Sequence, residues 1–219
     1  MILEQQYCYC VMCKKYHRKT DMAFNYRSIG ICSECDRKIK RVKDKYCLDE
    51  NGEWIVISPY FYTGALRNAV LDYKFNGLRI YGKLFGHMMA EELAGNPLIE
   101  DYNMIVPIPL HKNRLRQRGY NQSEIIAKTL AEETGIKMDS KAVKRVRDTK
   151  HQSELFGADR ISNVSGAFAA DPERVRGRKI LLIDDIATMG MTLNSCRRAM
   201  LSAGAAKVGI AALCKTELI

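Results

Sequence analysis

The chain contains 219 residues, of which 47 % are hydrophobic and 27 % are charged, and its formal net charge is +10. This composition is typical of a soluble globular protein with room for one α/β domain and a small additional module. Because we find neither an apolar run long enough to cross a bilayer nor a signal segment, we expect a cytoplasmic protein without membrane insertion. The positive charge favours a polyanionic partner, either nucleic acid or a pyrophosphorylated metabolite, although a merely solvated basic surface would have the same composition.

Six of the eight cysteines lie in residues 1–50, which predicts a module separate from a second domain over residues 51–219. Two Cys-x-x-Cys pairs separated by 18 residues have the spacing of structural zinc sites, in which four thiolates close a tetrahedron. The ligands that we prefer are Cys10, Cys13, Cys32 and Cys35. Cys8 and Cys47 remain alternative ligands, whereas His17 is expected to be a surface residue.

The segment that follows the cysteine pairs leads into the second domain. The basic residues 37–45 indicate a helix or an arm that leaves the cysteine module. The β-rich residues 54–62 are expected to begin a pair of strands. An apolar period of three to four residues then predicts helices over residues 65–73 and 80–93.

A strand predicted over residues 103–109 is followed at once by basic side chains. Pro107 interrupts the hydrogen-bonding ladder of that strand. The basic residues of the run, which contains no acid, are Lys112, Arg114, Arg116 and Arg118. Ligands of parallel sheets bind beyond the carboxyl ends of the strands, and arginine forks suit pyrophosphate oxygens. We therefore predict a pyrophosphate-binding loop here, with Gly119 permitting close backbone approach; an exposed basic loop without a ligand is the alternative interpretation.

A helix and a long polar segment come next. Residues 122–133 predict a helix, for which Asn121 is expected to open a capping box. Short strands are predicted over residues 141–147 and 167–169. Residues 147–164 are polar and form an unusually long connection for a compact domain, so we predict a lid.

The most informative stretch of the chain is residues 179–192. Residues 180–183 predict a buried parallel strand, Asp184 and Asp185 follow directly, and a loop with hydroxyl groups and a glycine leads into a helix. The backbone N–H groups of such a loop bind phosphate, and carboxylates beside it suit sugar hydroxyls or a metal. This pattern predicts a pocket for a phosphorylated ribose. The alternative is that the acidic pair only ends a strand and that Thr192 only caps a helix.

Taken together, these motifs resemble the ComF competence family. The motifs are the double cysteine pair, Val106-Pro-Ile-Pro109, Arg118-Gly-Tyr-Asn-Gln122, Gln152 with Arg160 and Asn163, and Asp184-Asp185 with Thr188, Gly190 and Thr192. The last motif is similar to the ribose-phosphate loop of type I phosphoribosyltransferases, except that Met189 replaces a threonine. The resemblance implies an α/β fold with a mainly parallel sheet flanked by helices, like that of type I phosphoribosyltransferases, behind a small four-cysteine zinc knuckle.

The resemblance also implies a function. Phosphoribosyl pyrophosphate would bind with Mg²⁺, Asp184 and Asp185 would be the catalytic residues that hold the ribose hydroxyls, and a structural Zn²⁺ would occupy the knuckle. The protein would act in DNA uptake and natural transformation as a phosphoribosyltransferase, with single-stranded DNA, a DNA-uptake helicase and a DNA-processing protein as partners. The alternative is a non-catalytic competence factor that binds single-stranded DNA and uses the pocket to sense a ligand.

The remaining predicted site residues fall into three groups. The phosphate loop comprises Ile186, Ala187, Thr188, Met189, Gly190, Met191 and Thr192. The residues expected near pyrophosphate are Pro107, Arg114, Arg118 and Gly119. The candidates for contact with DNA are Lys112, Arg116, Tyr120, Arg147 and Arg160.

Overall fold

Three sheets organise the chain in a computed structural model that describes residues 6–43, 46–48, 55–147, 166–188 and 191–217. The first sheet and its helix consist of β1 (Tyr7–Cys10), β2 (Tyr16–Arg18), β3 (Met22–Tyr26), β4 (Ile29–Cys32) and α1 (Ser33–Arg37). The elements that follow are β5 (Tyr46–Leu48), β6 (Ile55–Ile57), β7 (Tyr60–Phe61), α2 (Gly64–Phe75), α3 (Ile80–Leu93), α4 (Pro97–Glu100), β8 (Met104–Pro107), α5 (Lys112–Arg118) and α6 (Gln122–Thr134). The last elements are β9 (Val143–Arg145), β10 (Phe168–Ala170), α7 (Pro172–Val175), β11 (Lys179–Ala187), α8 (Met191–Ser202) and β12 (Lys207–Lys215).

The main sheet is largely parallel and has the strand order β5-β6-β12-β11-β8, with β7 also paired to β12. Only the β5–β6 pair in this sheet is antiparallel among the described strands. The unit β11–α8–β12 connects two parallel neighbours through a helix, the usual crossover of α/β folds. The predicted α/β class with a mainly parallel sheet is therefore confirmed.

Helices cover both faces of the main sheet. On one face, α2, α3 and α6 bury side chains such as Val70, Leu84 and Ile126 against Leu181 and Ile183 of β11. On the other face, α8 buries Leu193, Cys196 and Met200 against the opposite side of the strands. Both faces of β11 are thus covered, which explains why its first residues are apolar without alternation.

Helices α3 and α6 approach each other unusually closely at a glycine. A Cβ atom on Gly86 would lie 2.6 Å from Thr129 Cβ and 2.7 Å from Ile126 O. The absence of a side chain at this position lets the two helix backbones pack together.

The cysteine module packs directly on the main domain. Its four strands have the order β2-β1-β4-β3, and its buried Val11, Phe24 and Ile31 belong to the same apolar cluster as the residues of α2 and α3. The predicted separation into residues 1–50 and 51–219 stays a prediction, since residues 49–54 lie outside the described part. No helix that the structure describes is long and apolar enough to span a bilayer.

The structure details several predicted elements. The β-rich stretch contains the two strands β6 and β7, each of which pairs in parallel with β12. Of the two alternatives for the basic residues 37–45, the described residues 38–43 form the arm, in which Arg41 bridges Tyr60. The strand predicted over residues 180–183 needs correction: it extends to Ala187, because β12 pairs with it as far as Lys215.

The basic run after β8 is a helix and not a loop. His111 caps α5 by accepting a hydrogen bond from the Asn113 N–H at 3.4 Å, and Gly119 ends the helix in the left-handed region with φ of 74°. Arginine and lysine are good helix formers, so the two end signals suffice to make the run helical.

The predicted capping box at Asn121 does not form. Asn121 precedes α6, but its side chain makes no capping hydrogen bond. The Asn121 side-chain amide instead donates to Ile108 O at 2.9 Å and ties the start of α6 to the end of β8. A tertiary contact has therefore replaced the local one.

Candidate functional site

The four cysteines of the two predicted pairs meet in one cluster. Their Sγ atoms lie within 4.8 Å of one another, which is close enough to hold a metal ion. The first pair comes from β1 and the turn after it, and the second comes from the end of β4 and the helix α1. Cys10 and Cys32 are buried, and four thiolates are a donor set that suits Zn²⁺.

The other possible ligands lie outside this cluster. Cys8 is buried but is not a member of it, and the Cys47 side chain lies outside the described part of the structure. His17 is half-buried, with its Nε2 3.2 Å from Cys13 Sγ. Burial alone would raise the pKa of Cys10, but backbone N–H groups of Cys13 and Cys32 lower it and favour the thiolate.

The acidic pair lies at the carboxyl end of β11. Asp185 is buried, and Lys74 Nζ at the end of α2 is 2.9 Å from Asp185 Oδ1. Asp184 Oδ1 accepts a hydrogen bond from Ser123 Oγ at 2.8 Å and another from the Asp185 N–H at 2.9 Å. Residues from α2, α6 and β11 thus hold the two carboxylates in fixed orientations.

The protonation of this cluster is perturbed. Desolvation, and next the adjacent Asp185 charge, raise the pKa of Asp184 to about 7. Burial alone would lower the pKa of Lys74, but Asp185 and Asp184 raise it, so that the ammonium group stays charged. Two carboxylates that share one buried cation retain negative charge that suits hydroxyl donors or a divalent cation.

A basic cavity of about 370 Å³ opens beside the acidic pair. The residues that line it are Lys74, Phe75, Gly77, Arg114, Gln117 and Arg118. Arg118 is held by two contacts, a hydrogen bond of 2.8 Å to Gln122 Oε1 and a position 5.1 Å from the centroid of the Phe75 ring. Lys74 pairs with Asp185 and also lines this cavity, so the negative carboxylates lie next to the positive side chains of the cavity.

The other residues predicted near pyrophosphate lie around the same edge. Pro107 ends β8 and pairs in parallel register with Ile183, directly before the acidic pair. Gly119 ends the basic helix α5, and its carbonyl oxygen accepts a hydrogen bond of 2.9 Å from Arg79. Arg114 and Arg118 line the cavity. The structure therefore brings these four residues to one edge of the sheet.

The predicted phosphate loop joins β11 to α8. Ile186 and Ala187 are the last residues of the strand, Thr188 is exposed after it, and Met191 begins α8 with Thr192 in its first turn. Met189 and Gly190 lie outside the described residues. The loop thus precedes a helix of twelve residues, whose N-terminal N–H groups face the carboxyl edge of the sheet.

The candidates for DNA contact are in different environments. Lys112, Arg116 and Arg147 are exposed. Tyr120 is buried, with its hydroxyl group donating to Tyr73 O, so its ring is a packing residue here. Arg160, residues 148–164 of the predicted lid, and the Gln152 and Asn163 of the resemblance lie outside the described residues.

The end of α2 is a functional element that sequence reasoning missed. Three successive residues each contact a different part of the chain: Asp72 pairs with Lys14 of the cysteine module, the Tyr73 hydroxyl donates to Gln122 O, and Lys74 pairs with Asp185. The sequence offers one weak signal, a lysine directly after a buried tyrosine and before a glycine turn. No local sequence feature connects Lys74 to Asp185, which lies more than one hundred residues further along the chain.

Comparison with known proteins agrees with this geometry. Residues 118–217 match the family model described as phosphoribosyl transferase domain. The chain is 32 % identical to Competence protein F of Haemophilus influenzae over 222 residues, covering 85 % of this chain and 96 % of that protein. It is 29 % identical over 210 residues to the DNA utilization protein YhgH of Salmonella typhi, covering 85 % and 91 %. Its identity to Competence protein ComFC of Streptococcus pneumoniae is 27 % over 196 residues, covering 81 % and 84 %. The chain belongs to the ComF family and carries a phosphoribosyltransferase domain behind its four-cysteine cluster.

Proposed function

We propose that this protein binds phosphoribosyl pyrophosphate with Mg²⁺ at the carboxyl edge of its main sheet and acts in the handling of DNA during uptake. One observation carries the first part: the two carboxylates of β11, of which that of Asp185 is buried, share Lys74 with a basic cavity. A phosphorylated sugar pyrophosphate requires both signs of charge at one place, hydrogen-bond acceptors for its diol and cations for its pyrophosphate.

The residues divide the ligand between them. Asp184 and Asp185 accept hydrogen bonds from the ribose 2′ and 3′ hydroxyl groups, with Asp184 oriented by Ser123. Residues 186–192 hold the 5′-phosphate through backbone N–H groups at the start of α8. Lys74, Arg114 and Arg118 face the pyrophosphate in the cavity, where bidentate guanidinium contacts fix its orientation.

Metal ions complete this proposal. The oxygen donors of Asp184 and Asp185 fit Mg²⁺, which would neutralise part of the pyrophosphate charge when bound with the ligand. The four-cysteine cluster fits a structural Zn²⁺, because its four thiol donors leave no open position for a substrate.

A transfer reaction at this site would depend on positioning. Displacement of pyrophosphate at the anomeric carbon develops positive charge on the sugar, which the nearby carboxylates stabilise, and negative charge on the leaving group, which Lys74 and Arg118 stabilise. Release of pyrophosphate in the presence of nucleobases or single-stranded DNA is the assay that tests for transfer.

Calorimetric titration of the zinc-loaded protein with phosphoribosyl pyrophosphate and Mg²⁺ tests the binding proposal. We expect the double variant Asp184→Asn with Asp185→Asn to lose binding, because neutral amides bind Mg²⁺ poorly and accept hydrogen bonds from the ribose hydroxyl groups less strongly than carboxylates do. Asp101→Asn is the matched control, since Asp101 lies before β8, next to Lys179 at the amino end of β11, where it pairs with lysines. Unchanged binding in the double variant would refute the assignment of the acidic pair.

The role in DNA uptake is supported by the names of the relatives, two of which are competence proteins. Its test is complementation: a transformable strain that lacks its own relative should regain transformation when it expresses this chain. If the phosphoribosyl pocket serves that role, the double variant will be expressed at the same level and will fail to restore transformation.

A further inference from the structure

We propose that a second cavity, between the cysteine module and α3, binds an unpaired base of single-stranded nucleic acid. The cavity has a volume of about 680 Å³, and the residues that line it are Tyr7, Tyr9, Tyr16, Ser28, Ile29, Leu78, Ile80 and Tyr81. We call it the tyrosine cavity. The proposal rests on the proposed role in DNA handling and deepens it by locating a contact. Its tyrosine side chains contribute nothing to phosphoribosyl pyrophosphate binding, whereas the phosphates of the strand would share the basic cavity with that ligand.

The hairpin β1–β2 directs its aromatic side chains into this cavity. Tyr7 pairs with Arg18 and Tyr9 pairs with Tyr16 across the antiparallel strands, so these four side chains share one face of the hairpin. Cys8 and His17 alternate to the other face. The metal cluster side and the tyrosine side of the hairpin are thus opposite, and the knuckle holds the aromatic face in place.

Apolar exposure concentrates on this surface. Tyr16 is 73 % exposed, and Tyr7, Leu78 and Ile80, each more than one-third exposed, line the same cavity. Phe75 is 64 % exposed on the turn that leads from α2 to Leu78. Four of the seven large apolar side chains that are exposed among the described residues therefore line this one cavity, and Phe75 lies three residues before Leu78; such a concentration is typical of a binding site.

The charge around the cavity identifies the partner. None of the described residues that line it is acidic. Arg18 is exposed beside Tyr7, and Lys14, which pairs with Asp72, lies 5.2 Å from the centroid of the Tyr81 ring. Phe75 and Gly77, on the turn next to Leu78, belong to the basic cavity that contains Arg114 and Arg118.

Aromatic faces next to a row of cations suit one class of ligand. Single-stranded nucleic acids present flat bases that stack on tyrosine rings and phosphates that follow basic side chains. An apolar protein segment would make no use of the basic side chains, and a free nucleotide would need only one of the two regions. The linings of the two cavities include neighbouring residues of the segment 75–80, which favours a strand that passes from one cavity to the other.

The test compares two labelled strands about a dozen nucleotides long, oligothymidylate and an abasic strand with the same number of phosphates. Fluorescence anisotropy with the intact zinc-loaded protein at a fixed salt concentration measures both affinities. We expect Tyr7→Ala with Tyr16→Ala to weaken binding of oligothymidylate about tenfold and to leave the abasic strand unaffected. The single variant Tyr16→Phe retains both stacking rings and should bind oligothymidylate as tightly as the native protein.

Controls separate this inference from others. Val146→Ala removes an exposed apolar side chain that does not line the tyrosine cavity and should change nothing. Zinc content and calorimetric binding of phosphoribosyl pyrophosphate should be the same in the tyrosine variants as in the native protein, which shows that the knuckle and the donor pocket are intact. If the native protein fails to bind that ligand, the proposed function fails while the comparison of the two strands remains decisive for the cavity.

Three outcomes would overturn the inference. Equal affinity for the abasic and the thymidine strands would show that phosphates alone are bound. Thymidine monophosphate binding as tightly as the strand would show a mononucleotide site. A self-association in analytical ultracentrifugation that the tyrosine changes abolish, with strand binding unaffected, would identify the surface as an interface between copies of the chain.

Discussion

At the scale of the residue, Lys74 is the side chain on which the site depends. Its ammonium group is the cation that lies 2.9 Å from Asp185, and its side chain is only 17 % exposed. Removing one partner of a buried ion pair lowers the free energy of unfolding by more than the intact pair adds to it, because the remaining charge is buried without a counter-charge.

The first prediction concerns this pair. Lys74→Met should lower the free energy of unfolding at pH 8 by about 3 kcal/mol, because the carboxylates lose their counter-charge. It should also abolish binding of phosphoribosyl pyrophosphate. Urea denaturation and calorimetry measure the two effects. Lys38→Met is the control: Lys38 pairs with Glu34 on the surface, and its replacement should leave stability and binding as they are. Similar losses in both variants would contradict the role given to Lys74.

The second prediction follows from the raised pKa of Asp184. Burial raises this pKa from its ordinary value of 3.8 to about 7. Between these two values the native state holds a proton that the unfolded chain has released, so the free energy of unfolding falls as the pH rises from about 4 to about 7. In the variant Asp184→Asn the side chain cannot ionise, so its free energy of unfolding should not show this decrease.

We therefore expect Asp184→Asn to be more stable than the native protein at pH 8, by about 1 kcal/mol or more, and to lose that advantage near pH 4. Its amide oxygen can still accept the hydrogen bonds of Ser123 and of the Asp185 N–H. Urea midpoints across the pH range measure the difference, with the exposed Glu173→Gln as control. A stability difference that does not grow between pH 4 and pH 8 would contradict the raised pKa.

At the scale of the element, the site depends on how α6 is anchored. Asn121 ties its start to β8, Ser123 in its first turn orients Asp184, and Gly86 of α3 allows the two helices to pack closely. We therefore expect a change at this helix contact to displace α6 and, with it, Ser123, which orients Asp184.

The third prediction tests this packing. In an exposed helix, glycine to alanine stabilises by about 1 kcal/mol. Gly86→Ala should instead destabilise by about 2 kcal/mol, because the new methyl group would overlap Thr129 and the Ile126 carbonyl oxygen. Thermal unfolding measures the sign. A gain in stability would show that α3 and α6 can separate without cost.

Local patterns predicted some elements well and others badly. The apolar period predicted the buried Leu66, Val70 and Tyr73 of α2, and the Cys-x-x-Cys spacing predicted the metal cluster, because both signals are contained in short segments. The helix α5 was missed although its end signals, His111 and Gly119, are local. The side-chain contact of Asn121 was missed because a tertiary partner, the carbonyl oxygen of Ile108, replaced the local cap. The pairing of Lys74 with Asp185 joins distant segments, and neither segment alone identifies the other.

At the scale of the whole molecule, the cysteine module is part of one core with the main domain. Its apolar residues share a cluster with α2 and α3, and Lys14 pairs with Asp72 at the end of α2. Metal binding that orders the module should thus stabilise the entire protein.

The fourth prediction distinguishes the ligands of the metal. Cys10→Ser should reduce bound zinc to well below one ion per chain and lower the melting temperature. Cys8→Ser should retain the metal, because Cys10 belongs to the four-cysteine cluster and Cys8 does not. Elemental analysis and calorimetric melting measure both. Loss of zinc from the Cys8 variant, with zinc kept in the Cys10 variant, would contradict this assignment and show that Cys8 is the ligand in place of Cys10.

The three contacts at the end of α2 have a consequence for binding equilibria. Asp72 pairs with Lys14 of the cysteine module, and Lys74 pairs with Asp185 of the pocket. Tyr73, between them, donates a hydrogen bond to Gln122 O of α6. If the metal raises the affinity for phosphoribosyl pyrophosphate by some factor, thermodynamic reciprocity requires the ligand to raise the affinity for the metal by the same factor. Zinc held by the knuckle would then be retained more tightly while the pocket is filled, and a chelator would compete with a metabolite that it never touches.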